Sequence, residues 1–313
     1  MTRTIIKLED LNRTEYKEYW VNNRKRLATA TGCVFIDENH LVVTSLVGMK
    51  MYLFEIDFAN SSYSVIQELD TIYDSKPTIT DLLDYNGTDM LITSNCDNGT
   101  QTIYKIKDNH ISFYKQITNT ESLNGFCHGI KFHPFYNNLV CATIFRGCSI
   151  KYINIESESP HQINYQINYD IGFRPKDLTF VDKDRIIVLY TNSKARTKEV
   201  QDLFIAKLIL YEVNLVEKSH KPISEYTINN SHGDSILFHK GYVIVNNQIQ
   251  DEINILKLDN DIFIEQDVLK GYNFPHGLAY EPKSNLLAVT NYLDNTISIS
   301  KLNLHLGEPC IKN

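Results

Sequence analysis

From residue 31 to residue 302 the chain keeps returning to one arrangement of apolar and polar positions. A small or polar residue is followed two positions later by an aliphatic one, and two positions after that by an aromatic one. The arrangement occurs as TGCVF (31–35), DLLDY (81–85), HGIKF (128–132), KDLTF (176–180), DSILF (234–238) and HGLAY (276–280). The aromatics Phe35, Tyr85, Phe132, Phe180, Phe238 and Tyr280 lie 50, 47, 48, 58 and 42 residues apart. Some ten residues beyond each aromatic comes an apolar run that closes on a hydroxyl or amide residue in most repeats: LVVTS (41–45), MLITS (90–94), LVCAT (139–143), IIVLY (186–190), YVIVN (242–246) and LLAVT (286–290). A polar loop, an alternating segment such as QTIYKIKD or TISISKLN, and a more polar fourth segment such as HISFYKQIT complete the unit.

Alternation with a period of two, rich in β-branched and aromatic residues, predicts strands. Four strands per unit, repeating every forty to sixty residues, predict an all-β fold: a six-bladed β-propeller over residues 31–302 with four-stranded blades. The last repeat has no fourth strand of its own after ISISKLN, while RTIIKLED (3–10) stands alone at the N-terminus. A closed ring removes exposed sheet edges, so residues 3–10 are expected to supply the outer strand of blade 6 within a single domain. In residues 11–30, Asn12 and Glu15 have the spacing of a capping box, and Tyr16, Tyr19 and Trp20 fall at helical spacing, which predicts a short helical connector. KARTKEVQDLF (194–204) is a long polar insert in blade 4, suited to a lid or a partner-binding loop.

Charge narrows the function classes. With 31 Lys and Arg against 38 Asp and Glu, the net charge is −7, and the densest basic stretch, NNRKRLA (22–28), holds three cations. That excludes a nucleic-acid footprint. No apolar run reaches the length of a membrane span, and the first residues show no export signal. The six cysteines have no CxxC spacing and read as reduced thiols of a cytoplasmic protein, with Cys33 and Cys141 in the core.

In a propeller the innermost strand of each blade begins at one mouth of the central channel. The leading residues of the six repeats, Thr31, Asp81, His128, Lys176, Asp234 and His276, therefore form a ring there. On this register Asp81 faces Asp234, His128 faces His276, and His232 lies two residues before Asp234. The second strands end at the same mouth and bring Asn95, Asp97, Arg146, Asn192, Asn247, Asn291 and Asp294, the candidate substrate-binding groups beside catalytic Arg146. Imidazole titrates near neutrality, so His128 and His276 are candidates to move protons or to ligate a metal. Together with His232, Asp81 and Asp234 they suit Zn²⁺, whereas Asn and Asp oxygens alone would suit Ca²⁺. Lys176 and Arg146 are placed to stabilise an oxyanion.

A structural alternative accounts for the same residues. His-Gly occurs at 128–129, 232–233 and 276–277; the glycine can supply a special backbone conformation and the histidine can cap the turn. The Asn-rich loops fit ordinary turn chemistry. HExxH, the Walker loop and GxSxG are absent.

FPHGLAYEPKSNLLAVTNYLDNTISISKL (274–302) resembles blades of the YVTN-type and lactonase-type propellers, in which a phrase of the form F-x-P-D-G, YVTN, NTVSV repeats around the ring. Residues 126–155 fit the same phrase, and 173–192 fit it more loosely. The resemblance implies a superfamily that includes sugar lactonases, calcium-dependent gluconolactonase-like enzymes, a zinc lyase with histidine ligands, and non-catalytic binders. The calcium lactonases open their first blade with an acidic ligand, where this chain has ATGCVF and Thr31. The histidine set of the lyase is matched in part by His128, His232 and His276. Two functions are expected: a hydrolase or lyase for a lactone- or ester-like small molecule, assisted by a divalent metal, or a propeller that binds a protein or small ligand on the same face.

Overall fold

The computed structural model describes residues 3–8, 30–46, 48–71, 77–85, 88–96, 99–117, 127–136, 138–145, 147–156, 163–166, 172–192 and 204–304. These form six four-stranded antiparallel sheets arranged as the blades of a propeller. Blade 6 takes its outer strand, β1 (Arg3–Lys7), from the N-terminus. Blade 1 comprises β2 (Ala30–Phe35), β3 (His40–Ser45), β4 (Lys50–Asp57) and β5 (Ser62–Asp70), and blade 2 comprises β6 (Pro77–Tyr85), β7 (Thr88–Asn95), β8 (Gln101–Lys107) and β9 (His110–Ile117). Blade 3 holds β10 (Cys127–Phe132), β11 (Leu139–Ile144), β12 (Ser149–Asn154) and β13 (Ile163–Gln166). Blade 4 holds β14 (Phe173–Phe180), β15 (Arg185–Asn192), β16 (Ile205–Asn214) and β17 (Ser219–Asn229). Blade 5 holds β18 (Ile236–His239), β19 (Tyr242–Asn247), β20 (Glu252–Asp259) and β21 (Ile262–Lys270), and blade 6 is completed by β22 (Pro275–Glu281), β23 (Leu286–Asn291) and β24 (Thr296–Lys301). Each inner strand touches the next around the ring, from β2 through β6, β10, β14, β18 and β22 back to β2.

The ring closes as the orphan strand requires: β1 runs antiparallel to β24 with Arg3 opposite Ser300 and Lys7 opposite Thr296. Ile6 and Leu8 are buried between blades 6 and 1. The Arg3 guanidinium donates to the carbonyl oxygens of Lys270 and Gly271, each at 2.5 Å, and lies 4.3 Å over the Tyr272 ring, which ties the closing strand to blade 5 as well.

Among the described residues the core is divided into six large interblade clusters and a small seventh, Phe274 and Tyr292 packed with Leu46 and Leu293. Blades 6 and 1 share Ile6, Val43, Phe54 and Ile299; blades 1 and 2 share Val42, Leu53, Leu91 and Tyr104; the remaining four interfaces repeat the scheme. Val42 and Val43 thus serve opposite faces of one strand. This is why the second strands read as continuous apolar runs rather than as alternation: both faces are covered by neighbouring blades. The outermost strands are largely exposed, with Tyr63, Val65, Phe113 and Ile262 on the rim. In blades 1, 2, 4 and 5 a register shift interrupts the pairing of the third and fourth strands, at Leu53/Phe54, Ile103/Tyr104, Leu210/Tyr211 and Ile255/Leu256. Such bulges twist an edge strand away from further pairing.

Among the described residues there is no helix, and none that is long and apolar enough to cross a membrane. The helical connector expected in 11–30 lies outside the described residues apart from Ala30, as does the blade 4 insert apart from Phe204.

Candidate functional site at the channel mouth

The inner strands of blades 1, 2, 3 and 6 each carry a bulge where they begin, between Ala30 and Cys33, Pro77 and Thr80, Cys127 and Ile130, and Pro275 and Leu278, and that of blade 4 carries one three pairs in, between Pro175 and Asp177. The bulged residues include Thr31, His128, Lys176 and His276. A bulge leaves a residue outside the ladder and re-aims its side chain; here His128, Lys176 and His276 turn toward Asp234, while Thr31 donates to the Pro77 carbonyl of blade 2 at 2.9 Å.

The hydroxyl or amide that closes most second strands staples one blade to the next. Thr143 Oγ1 accepts the Gly129 N–H at 2.7 Å and donates to the Lys176 carbonyl oxygen at 2.8 Å. Thr290 does the same with the Gly277 N–H (2.6 Å) and the Thr31 carbonyl (2.8 Å). Asn246 accepts from Asp234 and Ser235 N–H and donates to the His276 carbonyl at 2.9 Å, and Ser94 Oγ donates to the His128 carbonyl. Blade 4 has Leu189 at this place, and Asp177 replaces the staple by accepting the Ile236 N–H at 3.0 Å.

These staples draw neighbouring inner strands so close that the residue after each ring histidine has to be glycine. A Cβ at Gly129 would lie 2.5 Å from Asp177 Cα, and one at Gly277 would overlap the Thr31 carbonyl oxygen and lie 3.0 Å from Gly32 Cα. Neither glycine has positive φ, so close approach, not a special backbone conformation, is the reason for His-Gly. The histidines do not cap their own turns. His128 Nδ1 donates to the Lys176 carbonyl at 2.9 Å and His276 Nδ1 donates to the Thr31 carbonyl at 3.2 Å, in each case on the following blade.

A carbonyl can only accept, so Nδ1 carries the proton and Nε2 is the atom each ring turns toward the channel. The two rings face each other with centroids 5.9 Å apart, and both point at one carboxylate. His128 Nε2 lies 3.4 Å from Asp234 Oδ1 and His276 Nε2 lies 3.5 Å from Asp234 Oδ2. Lys176 Nζ sits 2.6 Å from Asp234 Oδ1, His232 Nε2 is 3.7 Å from the same oxygen, and Gln248 Nε2 donates to Oδ2 at 2.6 Å. Burial opposes the charge on Asp234, but Lys176 first, and then the three imidazoles, hold its carboxyl well below the usual range. His128 is pushed down to about 3, by burial first and by Lys176 second, against the pull of Asp234, so it stays neutral near neutrality.

Aromatic side chains wall the cluster. Tyr292 stacks on His276 at 5.0 Å, Phe145 lies under the Lys176 ammonium at 4.5 Å, and Phe204 meets His232 edge-on at 5.9 Å. His128, Lys176, Asp234 and His276 are only 3–6% exposed, so they form a nearly closed polar nest.

Other candidates are placed elsewhere. Asp81 does not reach the ring: blade 2 is out of register with the aromatic alignment. With only two residues between Tyr85 and Thr88, its inner hairpin runs three pairs beyond Leu82, and Leu82 opposite Leu91 stands where Phe132 stands opposite Val140. The ring place in blade 2 thus falls at 78–79, and Asp81 lies further along the strand, where it accepts the Phe132 N–H at 2.7 Å and pairs with Lys131 at 3.5 Å. The amides are engaged in their own turns: Asn95 with Thr100 and Thr102, Asn192 with the Ile205 N–H, Asn247 with Ile249 and Gln250, and Asn291 with Thr296 and Ser298. Asp294 holds Thr296 and Asn273. Arg146 and Asp97 lie outside the described residues.

As a donor set, one nitrogen each from His128 and His276 and one oxygen from Asp234, all within 4.8 Å of one another, match a zinc-type ion. The Nδ1–H to carbonyl contacts supply the outer-shell support that metal-ligating imidazoles ordinarily have.

No family model matches the chain, and no curated protein is similar to it in sequence. Solved structures share its fold. The WD40 repeats of RRP9 superpose with a TM-score of 0.61 at 9% identity, over 88% of this chain and 95% of that one. A Bacteroides uniformis structure, named as a proposed 6-phosphogluconolactonase, gives 0.56 at 15% identity over 87% and 81%. Kuenenia stuttgartiensis hydrazine synthase gives 0.59 at 9% identity over 91% and 99%. At such identities the likeness establishes the propeller fold and nothing about chemistry.

Proposed function

We propose that this protein is a small-molecule hydrolase or lyase for a lactone- or ester-like substrate, working at the channel mouth with a zinc-type ion held by His128 Nε2, His276 Nε2 and Asp234. The observation that carries this reading is the pair of opposed imidazoles, each locked through Nδ1 to the next blade's carbonyl, that aim Nε2 at one buried carboxylate. With a pKa of about 3, His128 is a poor base near neutrality but a good neutral ligand. When bound, such an ion supplies Lewis acidity to a substrate carbonyl. Lys176, held at 2.6 Å by Asp234, is placed to stabilise negative charge developing on the substrate oxygen and to return a proton to a leaving alkoxide. Tyr292 against His276 and Phe145 against Lys176 would give the substrate an apolar wall.

A second reading has its own observation. Both Asp234 oxygens already have close partners, Lys176 on Oδ1 and Gln248 on Oδ2, as in a polar plug that organises the mouth of a non-catalytic propeller for a ligand or protein partner. Metal content decides between them. Protein purified without chelator is analysed by plasma mass spectrometry beside His128→Ala and His276→Ala, with proton release from a panel of lactones and esters as the activity readout. The catalytic reading expects a stoichiometric transition metal lost in both variants, together with turnover. Absence of metal and of turnover in the wild type, with both variants melting normally, leaves the binding reading.

A further inference from the structure

We propose that Arg174 is the docking residue for an anionic group on the ligand of the mouth, so that the ligand carries a carboxylate or phosphate. This rests on the reading of the mouth as a small-molecule site, catalytic or not. Arg174 lies on β14 two residues before Lys176, opposite Thr191, where the strand runs past the ring toward the mouth. It is half-buried, and its guanidinium lies 5.1 Å over the face of Phe145, the ring that also carries Lys176 at 4.5 Å and neighbours His128 at 6.3 Å. Two cations therefore straddle one aromatic side chain at the rim of the nest.

Their charges are balanced differently. Lys176 is neutralised by Asp234. The other described arginines are also satisfied: Arg185 by Asp182 and Asp261, and Arg3 by two backbone carbonyls. Lys207, which lies over Phe173, is paired with Glu225. Arg174 alone among the described arginines meets neither a carboxylate nor a carbonyl, in a chain with seven more acidic than basic groups. A guanidinium over an aromatic face, with no carboxylate partner, keeps N–H groups available, and their fork matches the two oxygens of a carboxylate or phosphate. The contact with Phe145 restricts the guanidinium before the ligand arrives, which lowers the cost of binding. A ligand anchored there would place its neutral part against Phe145 and the imidazoles.

Calorimetric titration of the full chain tests this with three probes: D-gluconate, 6-phospho-D-gluconate and the neutral methyl β-D-glucoside. The expected result is saturable binding of at least one anionic probe, no comparable binding of the neutral one, and a loss of about tenfold or more in Arg174→Gln. Arg174→Lys keeps the charge and recovers part of the affinity, while Lys207→Gln leaves it unchanged. The two anions share the carboxylate, so equal binding identifies the carboxylate as the anchor and tighter binding of 6-phospho-D-gluconate identifies the phosphate. Unaltered anion binding in Arg174→Gln, equal binding of the neutral probe, or no anion binding by the folded wild type overturns the proposal. Because binding is read without turnover, failure of the hydrolase reading shows separately, as missing metal and missing proton release.

Discussion

Replacing Asp177 by Asn should stabilise this protein at neutral pH and do little in acid. The Asp177 carboxyl is fully buried beside Gly129 and accepts the Ile236 N–H at 3.0 Å. Its pKa is raised from 3.8 to about 6, by burial first, with Lys131 and the Ile236, Leu178 and Ser235 hydrogen bonds pulling the other way. Lys131 is the cation that faces it, and Asp81 faces Lys131 from blade 2. A raised carboxyl pKa means that the folded state binds the proton more tightly than the unfolded chain. The group therefore costs nothing below the unfolded value of 3.8, costs progressively more as pH rises toward about 6, and bears its full penalty above that. At about 1.4 kcal/mol for each tenfold change in proton affinity, that penalty is ~3 kcal/mol. Asn keeps the acceptor for the Ile236 N–H and carries no charge, and Lys131 retains Asp81. Urea unfolding of both proteins from pH 4.5 to 8 should show an advantage for the variant that grows across this window to ~3 kcal/mol. A difference independent of pH, or a variant less stable at pH 7.5, would refute the reasoning, because the Lys131 attraction would then outweigh desolvation.

Three further outcomes follow from the same contacts. Gly277→Ala places a methyl on the Thr31 carbonyl and should lower stability by ~3 kcal/mol or more, whereas Ala at Gly241, where φ is +83° and the nearest atom is 3.8 Å away, should cost only ~1 kcal/mol; thermal melts of the pair separate packing from backbone strain. Thr143→Val removes the partner of the buried Gly129 N–H and one donor to the Lys176 carbonyl, an expected loss of ~2–3 kcal/mol by urea titration, and an unchanged midpoint would deny the staple. Arg3→Ala gives up two carbonyl contacts and the Tyr272 face; a loss of ~1–2 kcal/mol, with faster hydrogen exchange confined to β1 and β24, is the expected signature of a loosened closure.

The fold was legible because its determinants are local and repeated. A continuous apolar run between polar turns, six times over, can satisfy itself only between two covered faces, and the unpaired RTIIKLED had one vacant edge to fill. His128, Lys176, Asp234 and His276 were legible for the same reason: a fixed offset from the inner-strand aromatic carries them to one level. The offset failed at Asp81 because Tyr85 belongs to a longer hairpin, a difference in turn length that shifts the register without altering the apolar pattern. The walls were missed. Phe145, Gln248 and Tyr292 each stand two residues beyond the stapling residues Thr143, Asn246 and Thr290, so they repeat with the same period and share a strand face with the staples. That periodicity was available, but aromatic and amide residues one position past a strand end are ambiguous until the structure shows which way the chain turns there.

Closing the propeller and setting the imidazoles prove to be one operation. The Lys176 carbonyl accepts from Thr143 Oγ1 and from His128 Nδ1, and the Thr31 carbonyl accepts from Thr290 Oγ1 and from His276 Nδ1. Each carbonyl thus receives an interblade staple and a ring nitrogen at once. The glycines allow the approach, the approach forms the staple, and the staple presents the carbonyl that fixes which nitrogen bears the proton. In an unfolded chain nothing holds either imidazole in the Nδ1–H tautomer, so the arrangement of Nε2 atoms around Asp234 exists only once the blades have met. Loosening a blade interface should therefore disturb the mouth before it unfolds the ring.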